Sequence, residues 1–318
     1  VNYRSANLTV RCLESILVNV GDQICGVTIV DNHSGGLCVE IIKEHIEKGG
    51  YPFDITLVRA SHNGGFSFGN NLAIKETESR SKFEIDRTLI WFLNPDAVVG
   101  CRNLNDTIKI FENDLGVAIV GTGQKAMADR TNVSSAFNFV VPISEFLLSA
   151  KIGPLFRLFK KFQVSIGNNS GVFPCDWVSG ASFIAKYEAL ANVGFWDEEY
   201  FLYFEEVDLC QRLKRKGYSI KSNSDFWVYH EEESSTGVGR SRLRRPKFWF
   251  ASRRRYFIKH FGVKGLLLAD LFWLIGRPIF YIGMIFNRRE SRISEPSYFT
   301  WDLIVGDLLA LFKGKNNG

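Results

Sequence analysis

At 318 residues, 46% of them hydrophobic and 23% charged, the chain is long enough for one large α/β domain plus an appendage, and wholesale disorder is excluded. The net charge of +5 is modest, so its meaning lies in where the basic residues sit. Nine of them fall between Arg240 and Lys259, and no acid appears from Ser234 through Ala269.

The opening Val1-Asn2-Tyr3 is polar within two residues and has no signal-peptide pattern. It lacks an initiator Met and starts as though inside a strand, so a few residues are expected to precede it. Apolar residues at helical spacing from Leu8 to Leu17 predict a helix. Gly26 to Val30 reads as a buried strand ending at Asp31-Asn32, and Ile55 to Val58 as a second. Thr88 to Leu93 is a third, ending at Asn94-Pro95-Asp96. A helical pattern from Leu104 to Phe111 leads into a fourth strand, Val117 to Val120. This alternation predicts a mainly parallel sheet covered by helices, with ligands at the carboxyl ends of its strands. Asp31-Asn32 and Asn94-Pro95-Asp96 fall at those ends. Between Ala126 and Asn169 the pattern weakens, as in an insertion or an acceptor-side loop. Regularity returns at Val178 to Ala185, and a helix from about Glu205 to Lys216 is stopped by Gly217. The six cysteines, Cys12, Cys25, Cys38, Cys101, Cys175 and Cys210, are scattered singly, as suits a reducing cytosol, and offer no zinc spacing.

Four constellations carry chemistry. Asp96, just past a buried strand, suits a divalent cation that neutralises a diphosphate; a plain Pro-Asp turn would look the same. Glu205, Glu206 and Asp208 crowd the first turn of the later helix, where acids also serve as ordinary dipole partners. One of them facing the cleft would act as general base on an acceptor hydroxyl. The aromatic run Phe195-Trp196-Asp197-Glu198-Glu199-Tyr200-Phe201 before it would frame a sugar site. His230 closes the apolar run Phe226-Trp227-Val228-Tyr229 and precedes Glu231-Glu232-Glu233, as a surface or structural histidine or as a further metal ligand. Asn63-Gly64-Gly65-Phe66-Ser67-Phe68-Gly69-Asn70-Asn71 joins backbone freedom to amide side chains, which lets a phosphate or ribose approach; it is not a dinucleotide fingerprint.

Taken in order, these motifs resemble family 2 glycosyltransferases, particularly the bacterial rhamnosyltransferase-like branch that builds O-antigens and other surface polysaccharides. The matching blocks are Val1-Asn2-Tyr3, Val30 to Ser34, Asn63 to Asn70, Leu93 to Ala97, Trp177 to Ala181, Gly194 to Gly217 and Val228-Tyr229-His230, spanning about residues 1–235. The resemblance implies a GT-A nucleotide-diphospho-sugar transferase fold over 1–235 and an inverting single displacement. It implies that Asp31 hydrogen-bonds the nucleobase with Asn2 and Tyr3 nearby. Asn63, Gly65, Phe66 and Asn70 would line the nucleotide site with Asn94, and Gly180 and Ala181 would lie near the donor sugar. Asp96 takes the metal-binding acid position, with His230 as additional ligand for Mg2+ or Mn2+. Glu206 takes the base position, with Glu205 and Asp208 as alternatives. Two departures stand out: Asn94 replaces the first acid of the D-x-D-like motif, and Glu206 is one methylene longer than the usual aspartate. The implied partners are a dTDP- or UDP-sugar donor and a lipid-linked glycan acceptor. A non-catalytic assembly subunit of the same fold and a sugar-nucleotide pyrophosphorylase are the competing readings; the pyrophosphorylase's Gly-rich basic signature is absent.

Residues 236–318 read as a basic, amphipathic helical extension. Arg240, Arg242, Arg244, Arg245 and Lys247 lead into Phe248-Trp249-Phe250 and Arg253-Arg254-Arg255. The hydrophobic run from Phe261 to Phe286 is interrupted by Lys264, Asp270, Arg277 and Pro278, short of the ~20 uninterrupted apolar residues of a span. Asp270 and Arg277 share one helical face and leave Leu and Phe on the others. This pattern suits an anionic membrane surface, hence a cytoplasmic protein peripheral on the inner face of a bacterial plasma membrane. Packing on the catalytic domain, or a homo-oligomer interface, would use the same helices. Nucleic acid is disfavoured, since no recognised motif accompanies the basic run.

Overall fold

The computed structural model describes residues 1–80, 84, 87–151, 157–167, 169–231, 244–287 and 296–315. The chain divides into two units: Val1–Phe137 with Ile166–Phe201 and Glu205–Ser235, and Asn138–Ser165 with Leu202–Phe204 and Thr236–Gly318. Glu232, Glu233, Arg240 and Arg242 lie outside the described residues.

In the first unit, α1 (Ala6–Val20) buries Ala6, Thr9, Cys12, Leu13, Ile16 and Val20, a spacing of three and four that makes one apolar stripe. Its first turn is held by Asn2, whose Oδ1 accepts Ser5 N at 3.3 Å, Ser5 Oγ at 3.0 Å and Thr9 Oγ1 at 2.9 Å. Then come β1 (Gly26–Asp31), α2 (Cys38–Lys48) and β2 (Asp54–Arg59), with β1 and β2 paired in parallel. A helix between two paired parallel strands is the crossover that such pairing needs. α3 (Gly65–Arg80), β3 (Leu89–Leu93), β4 (Ala97–Val99), α4 (Leu104–Asn113) and β5 (Val117–Ala126) follow.

Beyond β5, the stretch of weak pattern holds the short strands β6 (Asn132–Val133) and β7 (Ala136–Phe137) and, in the second unit, α5 (Ser144–Ala150). Next are β8 (Val172–Pro174), β9 (Trp177–Val178), β10 (Ser182–Lys186), α6 (Tyr187–Asn192), α7 (Glu205–Arg215) and β11 (Ser219–His230). The larger sheet runs β3-β10-β5-β11-β4, with β6 on β5 and β8 on β11. Val117 to Val120 on β5 are fully buried, as a strand covered on both faces requires.

The expectation of a mainly parallel sheet needs correcting. β5 and β11 pair in parallel, but β10 is antiparallel to both β3 and β5, and β4 is antiparallel to β11. Between β5 and β10 the described residues hold the short strands β6 to β9 and helix α5, and the chain enters β10 antiparallel to β5. The architecture is α/β of the expected kind with a mixed sheet.

The second unit is helical. α8 (Lys247–Asn287) is two segments, 247–261 and 263–287, joined at Gly262, whose φ of 71° a residue with a Cβ resists. α9 (Phe299–Lys315) follows. Phe250, Trp273, Phe299 and Leu303 form its apolar core, and Trp273 Nε1 donates to Thr300 Oγ1 at 3.0 Å. Arg253, expected among surface basic residues, is instead 1% exposed at its side chain. It pairs with Glu145 of α5 at 3.1 Å, Asp270 of α8 at 2.9 Å and Asp307 of α9 at 3.0 Å. Asp270 and Arg277 share a face as expected, but that face is buried; Arg277 Nη1 donates to Ser149 O at 3.3 Å. Lys247–Met284 is long and apolar enough to cross a membrane by length and composition.

Candidate active site

The residues expected on the nucleotide side are built around Asn2. Its backbone bridges the end of β1, donating from N to Val30 O at 2.7 Å and accepting from Asn32 N at 2.8 Å. Its Nδ2 donates to Asp31 Oδ1 at 2.7 Å, and Ser34 N donates to Asp31 Oδ2 at 3.1 Å. Asp31 is 1% exposed, so the chain orients its carboxylate with one bond on each oxygen, leaving further lone-pair sites. Tyr3 stands beside it, half-buried, with the Arg4 guanidinium 5.2 Å from its ring centre.

Asn32 joins this corner to the glycine loop. Its Nδ2 donates to Asn63 Oδ1 at 3.0 Å and to Gly65 O at 2.9 Å, while Gly65 N donates to the same Asn63 oxygen at 3.1 Å. Phe66 N then donates to Phe201 O at 2.8 Å. Gly65 has φ +85°, and a Cβ there would lie 2.0 Å from Phe201 O, so two backbones meet where only glycine fits. Asn70, by contrast, turns inward and donates to Phe66 O one helical turn back, at 3.0 Å.

Across the sheet, the turn after β3 is fixed through its backbone: Asn94 N donates to Ala181 O at 2.8 Å, and Asn94 O accepts from Ala97 N at 3.1 Å. The β4–β11 register sets Ala97 opposite His230, which brings Asp96 to His230 with Oδ1 and Nε2 3.2 Å apart. Glu231 N donates to Asp96 O at 3.2 Å, and Glu231 is held by Arg11 of α1 at 2.7 Å. Cys12, packed behind Asn94, has its thiol pushed up to about 12 by burial.

Asp96 and His230 fit a divalent cation as a two-donor set. Adjacent ligands of an octahedral ion bonded at about 2.1 Å are about 3 Å apart, and such ions complete their shells with substrate phosphates and water. His230 Nδ1 is buried without a hydrogen-bond partner among the described residues. No group of three His, Cys, Asp or Glu side chains placed to hold a metal occurs among the described residues.

Glu206, at the start of α7, faces Gly180. The Gly180 N–H bonds its carboxylate, and a Cβ built on Gly180 would stand 3.6 Å from Glu206 Oε1 and 3.7 Å from Phe66 Cζ. Burial pushes Glu206 up to about 7, only partly offset by backbone N–H groups, its own and that of Gly180. Burial and the neighbouring Glu206 charge hold Glu205 well above the usual carboxylate range. Oε2 of each lacks a partner among the described residues. Asp208 is different. It is fully buried, accepts Arg212 Nε at 2.7 Å on Oδ2 and Tyr200 OH at 3.5 Å on Oδ1, and so ties α7 to its surroundings.

Two hydrogen-bonded groups result: Asn2, Asp31, Asn32, Asn63 and Gly65 form one, and Asn94 with Ala181 the other, where Gly180 stands between Glu206 and Phe66. Asn71, named in the sequence only as the end of the amide-rich stretch, has a role the sequence did not assign. Its Nδ2 donates to Trp196 O at 3.0 Å and Glu198 Oε1 at 2.8 Å, and its Oδ1 accepts Trp196 N at 3.1 Å. This clamps the aromatic loop, and Trp196 is set edge-on to Phe66 at 5.3 Å. The doubled amide at Asn70-Asn71 was the available signal, but nothing in it distinguished the inward Asn70 from the clamping Asn71.

Gly65→Ala is expected to lower the melting temperature and nucleotide affinity together. The left-handed backbone alone costs about 1–3 kcal/mol for a residue with a Cβ, and the contact with Phe201 O adds to it. Thermal melts with and without nucleotide check this; an unchanged melting temperature contradicts it.

The glycosyltransferase-like family 2 model matches residues 1–249. The low-salt glycan biosynthesis hexosyltransferase Agl10 of Haloferax volcanii is 23% identical over 223 residues, covering 69% of this chain and 62% of that protein. Rhamnosyltransferase WbbL of Escherichia coli K12 is 27% identical over 166 residues, covering 52% of this chain and 60% of its own. The chain thus spans about six-tenths of the length of these curated relatives. Among solved structures, the mannosyltransferase PcManGT of Pyrobaculum calidifontis, in complex with GDP-Man and Mn2+, superposes with a TM-score of 0.55 at 16% identity, over 99% of this chain and 80% of that one. Its likeness speaks for the GT-A fold.

Proposed function

The chain belongs to the glycosyltransferase-like family 2, and on that premise we propose a metal-dependent, inverting transferase acting in bacterial surface-glycan synthesis. It moves a sugar, rhamnose before others, from a dTDP- or UDP-sugar to a lipid-linked glycan at the inner face of the plasma membrane. The observation that carries the reading is Glu206: a carboxylate pushed up to about 7, bonded by Gly180 N–H, where Gly180 stands between it and Phe66 of the glycine loop. A base tuned near the working pH accepts a proton with the least penalty on either side.

In this mechanism Asp31 and Asn2 orient the nucleobase, and the Asn63–Gly65 loop takes the ribose and phosphates against bare backbone. Asp96 and His230 would hold Mg2+ or Mn2+, which when bound supplies positive charge to the diphosphate. Glu206 removes the acceptor hydroxyl proton as the acceptor oxygen bonds the anomeric carbon and the bond to the nucleoside diphosphate breaks. One displacement inverts the centre and leaves no covalent intermediate. Phe66 and Trp196 exclude water beside Gly180. Asp208, with both oxygens bonded internally, serves as a positioning residue for α7.

Calorimetry with dTDP, UDP and GDP, with and without Mn2+, tests the reading. The expected result is metal-dependent binding of dTDP or UDP that disappears in Asp96→Ala while the melting curve stays cooperative. A folded chain that binds no nucleotide overturns the proposal and favours a non-catalytic subunit of the same fold.

A further inference from the structure

In the second unit several charged side chains are buried while much hydrocarbon is exposed. Beyond Gly262, α8 exposes Leu267, Leu268, Leu271, Leu274, Ile275 and Ile282, each between 42 and 53% accessible. Their spacing of three and four makes a continuous stripe whose rise is about 24 Å. α9 continues the pattern with Leu309 at 55% and Phe312 at 66% exposed. From 263 to 284 the charged residues are Lys264, Asp270 and Arg277, and the last two are buried. Arg253 and its three carboxylates are likewise internal.

Two features identify what covers this face. A protein partner requires a polar rim around an apolar centre, and on 263–284 the stripe runs without one: Lys264 is its sole exposed charge among the described residues. Among the described residues of these helices, the charge that reaches the surface has one sign. Lys259, Lys264 and Lys313 are exposed, whereas Asp270 and Asp307 are buried and Asp302 is bonded by Arg244. Tyr298 and Trp301, 71% and 65% exposed at the start of α9, are the residue types that settle at a lipid–water boundary. We infer that the outer face of 263–284, with α9, is inserted into the hydrocarbon edge of one leaflet of an anionic bilayer. The helix lies along the surface, because its other face is occupied by the buried charges and by the Arg277–Ser149 contact with α5. Attachment is then chiefly by burial of hydrocarbon and only secondarily by the lysines. This deepens the membrane placement proposed above and is independent of the chemistry assigned to Glu206.

Vesicle flotation of the 318-residue chain tests the inference, comparing phosphatidylglycerol/phosphatidylethanolamine with phosphatidylcholine vesicles at low salt and at about 1 M NaCl, where surface charge is screened beyond about 3 Å. The wild type is expected to float with anionic vesicles and to remain bound at high salt. Leu271→Asp with Leu274→Asp, at half-exposed positions that leave the fold intact, is expected to lose binding roughly tenfold or more. Lys259→Glu with Lys264→Glu is expected to lose the preference for anionic lipid but keep the salt-resistant fraction. A leucine variant that floats like wild type overturns the inference. So does wild type that fails to float, or a wild-type dimer in sedimentation that the leucine variant dissolves, since a second copy then covers the face. Nucleotide calorimetry on the same samples reads the transferase proposal separately, and the leucine variant is expected to bind as wild type does.

Discussion

Glu206→Gln is expected to abolish most sugar transfer, roughly a thousandfold in kcat, while nucleotide binding persists. The amide fills the same space beside Gly180 and Phe66 but accepts no proton at neutral pH. For the wild type, kcat is expected to rise with pH through about 7, the value to which burial pushes this carboxyl. The stability of the protein runs the other way. The native state keeps a proton on Glu206 that the unfolded chain releases near pH 4.5, so this group's contribution is present at low pH and is lost as pH rises toward 7. The Gln variant, which has no charge to bury, should therefore melt higher than wild type at pH 8 and close to it at pH 4. A variant with near-normal transfer, or a wild-type rate flat from pH 5 to 9, would remove Glu206 from the base position. Inversion itself is read by the anomeric configuration of the product.

The largest effect on stability is expected from Arg253→Leu. Removing one member of a buried ion cluster leaves the others uncompensated, at a cost of about 3–5 kcal/mol, and here three carboxylates, Glu145, Asp270 and Asp307, lose the same partner. Burial already raises all three, Asp270 to about 6. Without the guanidinium Glu145 and Asp270 rise further, while Asp307 keeps Arg254 at 2.6 Å. The deficit in urea-unfolding free energy should therefore be larger at pH 8 than at pH 5, since stability tied to a raised acid is lost as pH rises through its folded value. An unfolding midpoint equal to wild type at pH 8 would show that the cluster contributes nothing net.

Much of the first unit was readable because its signals are local. Gly26 to Val30, Ile55 to Val58 and Val117 to Val120 are apolar runs bounded by polar turns, and each is a strand. The helices at Ala6–Val20, Leu104–Asn113 and Glu205–Arg215 announce themselves by period. Strand direction was not readable, because it depends on how the chain travels between β5 and β10, where short strands carry little pattern. From the residues alone Asp96 and His230 are polar groups at two strand ends, and it is the family resemblance that pairs them. What joins them is the antiparallel β4–β11 register, a long-range fact. The same limit governs α8. Periodicity puts Asp270 and Arg277 on one side but says nothing of which side is covered, and the natural assumption that charge faces water was inverted by Glu145, Asp307 and Ser149 from other helices. The role of Asn71 was not readable because its partners, Trp196 and Glu198, are more than a hundred residues away.

The meeting of Gly65 and Phe66 with the carbonyl of Phe201 has a consequence for divergence. The contact is made by main chain on both sides, so its length is indifferent to the side chains around it, Gly65 excepted. Substitutions at the side chains of Phe66, Trp196 or the loop from Phe195 to Phe201 leave this main-chain bond available. Under the proposed transfer chemistry, a lineage built on this seam would exchange one sugar for another by point changes while the spacing of its two backbones stays an inherited constant.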